Sequence, residues 1–70
     1  MSQITHFLLN GKSYYTTQRI KLLDIIEYFN YSNSLLVLEL NQIICNRNKW
    51  NETFVKNNDK IEIVTIVGGG

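Results

Sequence analysis

Apolar positions along this chain keep first a strand rhythm, then a helical one, then a strand rhythm again. From Ile4 to Leu9 an apolar run ends at Asn10-Gly11. That dipeptide favours a two-residue hairpin turn, in which both central residues need φ > 0. Ser13-Tyr14-Tyr15-Thr16-Thr17 follows, rich in the aromatic and β-branched residues that suit a return strand. Between Lys21 and Phe29 the period lengthens. Leu22, Ile25, Ile26 and Phe29 fall at i, i+3, i+4 and i+7, one face of a helix, with Asp24 and Glu27 toward the other side. Its start is weakly marked, because Ile20 and Lys21 are poor N-caps and Thr17 comes early. Its end is clearer, in the polar stretch from Asn30 to Ser34.

Leu36, Leu38 and Leu40 then alternate with Val37 and Glu39, which predicts a third strand with one apolar face. Ile43-Ile44-Cys45 predicts a short fourth strand after a turn around Asn41-Gln42. Asn46 to Asn51 is polar apart from Trp50 and reads as a loop or a single helical turn. Asn57-Asn58-Asp59 is a turn signal, since Asn and Asp tolerate left-handed backbone. Ile61 to Val67 reads as the final strand. Gly68-Gly69-Gly70 cannot extend it stably, because glycine adds backbone entropy and no packing.

This order describes an α+β roll: a hairpin, a helix laid across it, and later strands returning to the same sheet. The expected architecture is a β-grasp, ubiquitin-like roll with a mixed four- to five-stranded sheet and one main helix. In that arrangement the last strand lies beside the first, in parallel, at the centre of the sheet, which suits two apolar strands. Residues 1–67 would form the domain and residues 68–70 a flexible glycine tail.

Composition narrows the function. A chain of 70 residues makes one small domain, which buries only roughly 60% of its unfolded surface and has no room for a deep substrate cavity beside its core. The net charge is +1, with seven Lys and Arg scattered from Lys12 to Lys60, so no basic face suggests nucleic acid. A single cysteine and a single histidine exclude an internal disulfide and a His/Cys zinc cluster. No apolar run approaches the roughly 20 residues that span a bilayer. Met1-Ser2-Gln3-Ile4 lacks the basic and apolar regions of a secretory signal. The expectation is a soluble protein in a reducing compartment, no membrane partner and a monomer when alone. Nine Asn and nine Ile hint at AT-rich codons, as in plastid genomes or some bacteria.

Several segments, in order and spacing across the whole chain, resemble the ThiS family of sulfur carriers. They are Leu9-Asn10-Gly11, Leu22-Leu23-Asp24-Ile25-Ile26, Glu39-Leu40-Asn41-Gln42-Ile43-Ile44, Arg47 with Trp50, Asp59-Lys60-Ile61-Glu62-Ile63-Val64 and the closing Val67-Gly68-Gly69-Gly70. Two positions depart from the family pattern: Asn58 stands where Gly is common, and Asn46 where some relatives carry Pro. The resemblance implies a protein co-substrate of thiamin thiazole biosynthesis, not an enzyme, with no bound cofactor and no metal. A ubiquitin-activating-like adenylating enzyme of the ThiF type would use MgATP to adenylate the Gly70 carboxylate. Sulfur drawn from cysteine by a desulfurase would convert it to a thiocarboxylate, and a thiazole synthase of the ThiG type would receive it. Bacterial cytoplasm, or plastid stroma for a plastid-encoded chain, would be its location. Carriers for molybdopterin synthesis or tRNA thiolation share fold and tail, and a ubiquitin-like binding module with no chemistry at its end is the alternative from another class.

The residue chemistry suits that expectation. A main-chain carboxylate has a reference pKa of about 3.3–3.7, so it is ionised at neutral pH and able to attack an α-phosphate. Gly68 and Gly69 would let the terminus enter a narrow channel in another protein, since a chain without Cβ atoms is thin and conformationally free. If Ile61 and Ile63 face the helix, then Glu62, Val64 and Ile66 face outward and Val37 joins them from the neighbouring strand. These four form a candidate docking patch. The remaining polar and aromatic candidates favour structural roles. His6 reads as a strand-surface residue, Cys45 as a small half-buried hydrophobe and Trp50 as a cap on the core. Asp24 and Glu27 read as a solvated helix face.

Overall fold

A computed structural model describes residues 3–31 and 35–66. Five strands form one sheet in the order β2-β1-β5-β3-β4, with one α-helix across it. β1 (Thr5–Leu9) and β2 (Lys12–Thr16) make the antiparallel hairpin, closed by the Leu9–Lys12 pair. Both turn residues are left-handed, Asn10 at φ 51° and Gly11 at φ 81°, as a type I′ turn requires.

The helix α1 (Leu22–Tyr28) begins one residue later than the hydrophobic period suggests and ends one earlier. Its N-cap position is Lys21, whose side chain has no acceptor to offer. The start is secured in other ways. The Asp24 carboxylate accepts the Lys21 backbone N–H at 2.8 Å, one half of a capping box. Leu22 and Leu23 donate their N–H groups to the carbonyls of Thr53 and Trp50 at 3.0 and 3.1 Å. Donors that lack partners within the helix are thus satisfied by a distant segment. At the other end Asn30 sits at φ 62°. Its N–H reaches the Glu27 carbonyl, and that of Tyr31 reaches Ile26 at 2.8 Å, a Schellman closure with Asn in the place of Gly.

β3 (Leu35–Leu40) turns through left-handed Asn41 and Gln42 into β4 (Ile43–Ile44), a strand one residue shorter than expected, although Cys45 still donates its N–H to the Leu38 carbonyl at 2.8 Å. A 3-10 turn at Arg47–Lys49 fills the polar stretch that follows. β5 (Asp59–Ile66) starts at Asp59, two residues before the expected Ile61. It runs parallel to β1 and antiparallel to β3, so the last strand does occupy the centre beside the first. The β-grasp expectation holds.

The core lies between α1 and the inner face of the sheet. Leu22, Ile25 and Ile26 from the helix meet Phe7, Leu9, Leu38, Ile61 and Ile63, with Trp50 and Val55 closing one end. Leu22, Ile26, Leu38 and Ile61 are almost wholly buried. Each such side chain contributes roughly 1.5–3 kcal/mol relative to exposure.

Candidate functional site

The site predicted from the chain is its glycine end together with the sheet face beside it. Gly68, Gly69 and Gly70, and Val67 before them, lie outside the described residues. What the structure describes is the strand that carries them. β5 alternates from Asp59 to Val64: Ile61 and Ile63 are buried toward the helix, while Lys60, Glu62, Val64 and, further on, Ile66 lie exposed on the opposite face; Thr65 at the strand end is exposed as well.

Strand register brings the candidate patch together. Val64 lies opposite Val37, Ile66 opposite Leu35 and Glu62 opposite Glu39, while Ile44 of β4 lies opposite Glu39. Directly opposed residues share a sheet face, so these side chains form one outer surface at the end of β5 from which the chain continues to its glycines. Val64 is 60% exposed, Ile66 52%, Leu35 66% and Ile44 63%. All four predicted patch residues, Glu62, Val64, Ile66 and Val37, thus fall on one face. Leu35 and Ile44 enlarge it. Neither was singled out in the sequence, because a register is needed to see that they meet Ile66 and Glu39.

At its start β5 is held by polar groups. Asp59, 8% exposed, accepts the Lys56 N–H at 2.7 Å through Oδ2 and the Asn41 side-chain amide at 3.0 Å through Oδ1. His6 and Asn58 tie β1 to the same turn: the Asn58 N–H bonds the His6 carbonyl at 2.6 Å, and the His6 N–H bonds Asn57 Oδ1 at 2.8 Å. Asn58 has φ 71°, a left-handed conformation that Asn accepts more readily than most residues.

The other candidates take structural places. The His6 ring packs against Tyr15 with centroids 4.9 Å apart. Cys45 is half-buried against the core. Trp50 is 3% exposed, donates Nε1–H to the Cys45 carbonyl at 2.9 Å, and lies under the Arg47 guanidinium at 5.0 Å. Asp24 is exposed but is more than solvated surface, since it caps the helix start. Among the described residues no group of three or more His, Cys, Asp or Glu is placed to hold a metal ion. No helix among them is long and apolar enough to cross a membrane.

A mixed sheet with its last strand central, one helix on the inner face and an exposed apolar outer face defines a protein of the ubiquitin-like β-grasp class. Within that class, the model of the ThiS family matches residues 7–70. The chain belongs to the ThiS family, a family of small sulfur carriers that are not themselves catalytic. It is similar to a crystal structure of the thiamine biosynthesis protein ThiS from Geobacter metallireducens, with a TM-score of 0.77 and 22% identity, covering 94% of this chain and all of that one. The ycf40 protein of Trieres chinensis is 58% identical over 64 residues, 91% of this chain and 88% of its own. That of Pyropia yezoensis is 31% identical over 62 residues, 89% of this chain and 87% of its own.

Proposed function

We propose that the chain carries sulfur for the thiazole ring of thiamin as a thiocarboxylate on Gly70. The observation that carries the reading is that the family match runs on through the three closing glycines. In the first step a Gly70 carboxylate oxygen attacks the α-phosphorus of MgATP bound to a ThiF-type adenylating enzyme, and pyrophosphate leaves. In the second, a sulfur nucleophile at the sulfide level attacks the acyl-adenylate carbonyl and AMP leaves. The thiocarboxylate then passes its sulfur to a ThiG-type thiazole synthase. That sulfur leaves cysteine as the persulfide of a cysteine desulfurase, and two equivalents of a thiol reductant release it at the sulfide level, themselves becoming a disulfide. Asparagine- and isoleucine-rich composition supports a plastid stroma or a bacterial cytoplasm as the place of work.

The outer face supports the docking half of this reading. Val37, Val64 and Ile66, with Leu35 and Ile44, give partner enzymes an apolar surface next to the strand end, and Glu62 beside Glu39 adds negative charge. Apolar patches rimmed by charge are the usual form of protein docking sites.

Mass spectrometry tests the chemistry. With the adenylating enzyme, MgATP and a sulfur source, the carrier is expected to exchange one oxygen for one sulfur, and deletion of Gly70 abolishes the exchange. A mass that never changes, or changes equally without Gly70, leaves a ubiquitin-like binding module in place of a carrier. Offering the product to thiazole synthase, to a molybdopterin precursor with its synthase, or to a tRNA-thiolating enzyme assigns the pathway.

A further inference from the structure

Two turns on opposite sides of β5 use the same device. In the β1–β2 turn, Asn10 donates its backbone N–H to the Ile61 carbonyl at 2.9 Å and accepts the Ile63 N–H at 2.8 Å on its side-chain Oδ1. In the β3–β4 turn, Asn41 donates its backbone N–H to the Lys60 carbonyl at 2.7 Å and accepts the Lys60 N–H at 2.9 Å, again on Oδ1. A regular ladder makes both bonds through the backbone, the neighbour's N–H and carbonyl each bonding the strand opposite. Here both chains have turned away in left-handed conformation, at φ 51° and 53°, and the side-chain amide oxygen replaces the main-chain one. Few residues supply both properties. Glycine reaches that φ but has no oxygen, and most others have neither.

The strand so held is the one that leads to the glycines. β1 pairs with β5 only as far as Ile61, so Asn10 adds the last bond on that side before the chain continues toward residue 70. Asn41 is itself oriented by the hydrogen bond its side-chain Nδ2–H donates to Asp59 Oδ1 at 3.0 Å.

The geometry points to Asn10 and Asn41 as positioning residues, a clasp that keeps β5 paired while a partner enzyme draws the glycine end into its active site. The inference rests on the carrier reading of that end. Without the Asn10 oxygen, β5 beyond Ile61 is held on one side alone, by β3, whose register runs to Ile66, and the strand end that carries the glycines is less firmly directed. Each residue that this loosening leaves to be ordered in the partner costs on the order of tenfold in reaching a reactive geometry. Asn10 lies beside Lys60 and Glu62 and Asn41 beside Lys60, while the apolar residues Val64 and Ile66 pair with β3 nearer the strand end, so the apolar part of the docking surface is the same in either variant.

The test uses the full chain with the adenylating enzyme and MgATP. Asn10→Gly keeps the left-handed turn and removes the oxygen; Asn10→Asp returns an oxygen to the same place. In Asn10→Gly the Ile63 amide is expected to exchange with solvent about tenfold faster. The kcat of adenylation is expected to fall about tenfold, with KM for the carrier moving less than about twofold. Asn10→Asp recovers most of both, and Asn41→Gly lowers kcat in the same way. Ile25→Val, a mild core destabilisation far from the clasp, serves as the control and leaves kcat at the wild-type value. A wild-type chain that is adenylated alongside Asn10→Gly with the same kcat overturns the clasp alone. So does an unchanged Ile63 amide, or a fall in kcat that Ile25→Val reproduces. A wild-type chain that is never adenylated overturns the carrier reading instead.

Discussion

At the scale of single residues, backbone conformation and buried polar atoms decide which side chains can change. Asn58 holds φ 71° in the turn before β5, a conformation that costs most L-residues about 1–2 kcal/mol. Asn58→Ala is therefore expected to destabilise by about 1 kcal/mol and Asn58→Gly to be neutral or slightly stabilising. Thermal denaturation of the two variants checks the sign. Trp50 poses a different question, because its ring packs the core while its Nε1–H serves the Cys45 carbonyl. Trp50→Phe keeps most of the packing and strands that carbonyl, costing about 1–3 kcal/mol. Trp50→Ala loses the ring as well and is expected to cost about 3–5 kcal/mol. If Trp50 served as a partner anchor in place of a core cap, urea denaturation would show both variants near wild-type stability.

At the scale of elements, what could be read from the chain was whatever is local in sequence. The hairpin was legible because Asn10-Gly11 states its turn type, and the helix because Leu22, Ile25, Ile26 and Phe29 keep one face. The edges of elements were less legible. Helix α1 has no Ser, Thr, Asn or Asp at its cap position; its start depends on carbonyls of Trp50 and Thr53, which lie beyond β3, β4 and the 3-10 turn along the chain. The advance of β5 to Asp59 comes from pairing with Phe7 of β1, a long-range partner that no local propensity reports. In the candidate site, alternation along β5 was enough to place Glu62, Val64 and Ile66 on one face. The side-chain bonds of Asn10 and Asn41 to β5 were not, since both residues look like ordinary turn formers until the register is known. One consequence is testable at this scale. Asp24 holds the Lys21 N–H at 2.8 Å, so Asp24→Ala should cost about 0.5–1.5 kcal/mol. Its amide exchange should rise at Lys21 while β1, β3 and β5 keep their protection.

For the molecule as a whole, the inner face of the sheet holds the fold, and on the docking reading proposed above its exposed outer face meets partners. A domain this small has little stability to spare, so a feature that weakens the fold without packing anything invites a functional explanation. Glu39 and Glu62 are such a feature. They stand directly opposite each other on β3 and β5, on the outer face, and like charges so placed are destabilising by about 0.2–1 kcal/mol. A docking partner with Arg or Lys at that point would neutralise the pair and gain from its charge. Glu62→Gln is therefore expected to move stability and docking in opposite directions. The melting temperature should rise slightly. The rate of association with the adenylating enzyme should fall several-fold at low salt, and the difference from wild type should shrink as ionic strength rises, because steering by exposed charge is screened over about 10 Å at 0.1 M salt. Val64→Ala with Ile66→Ala supplies the comparison. Those two side chains are exposed and add little to the core, so the double variant should keep its stability and bind more weakly at every salt concentration. Stopped-flow association across a salt series separates the two effects. Equal association rates for Glu62→Gln and wild type at low salt would remove the charged pair from the docking surface and leave the apolar residues as its whole content.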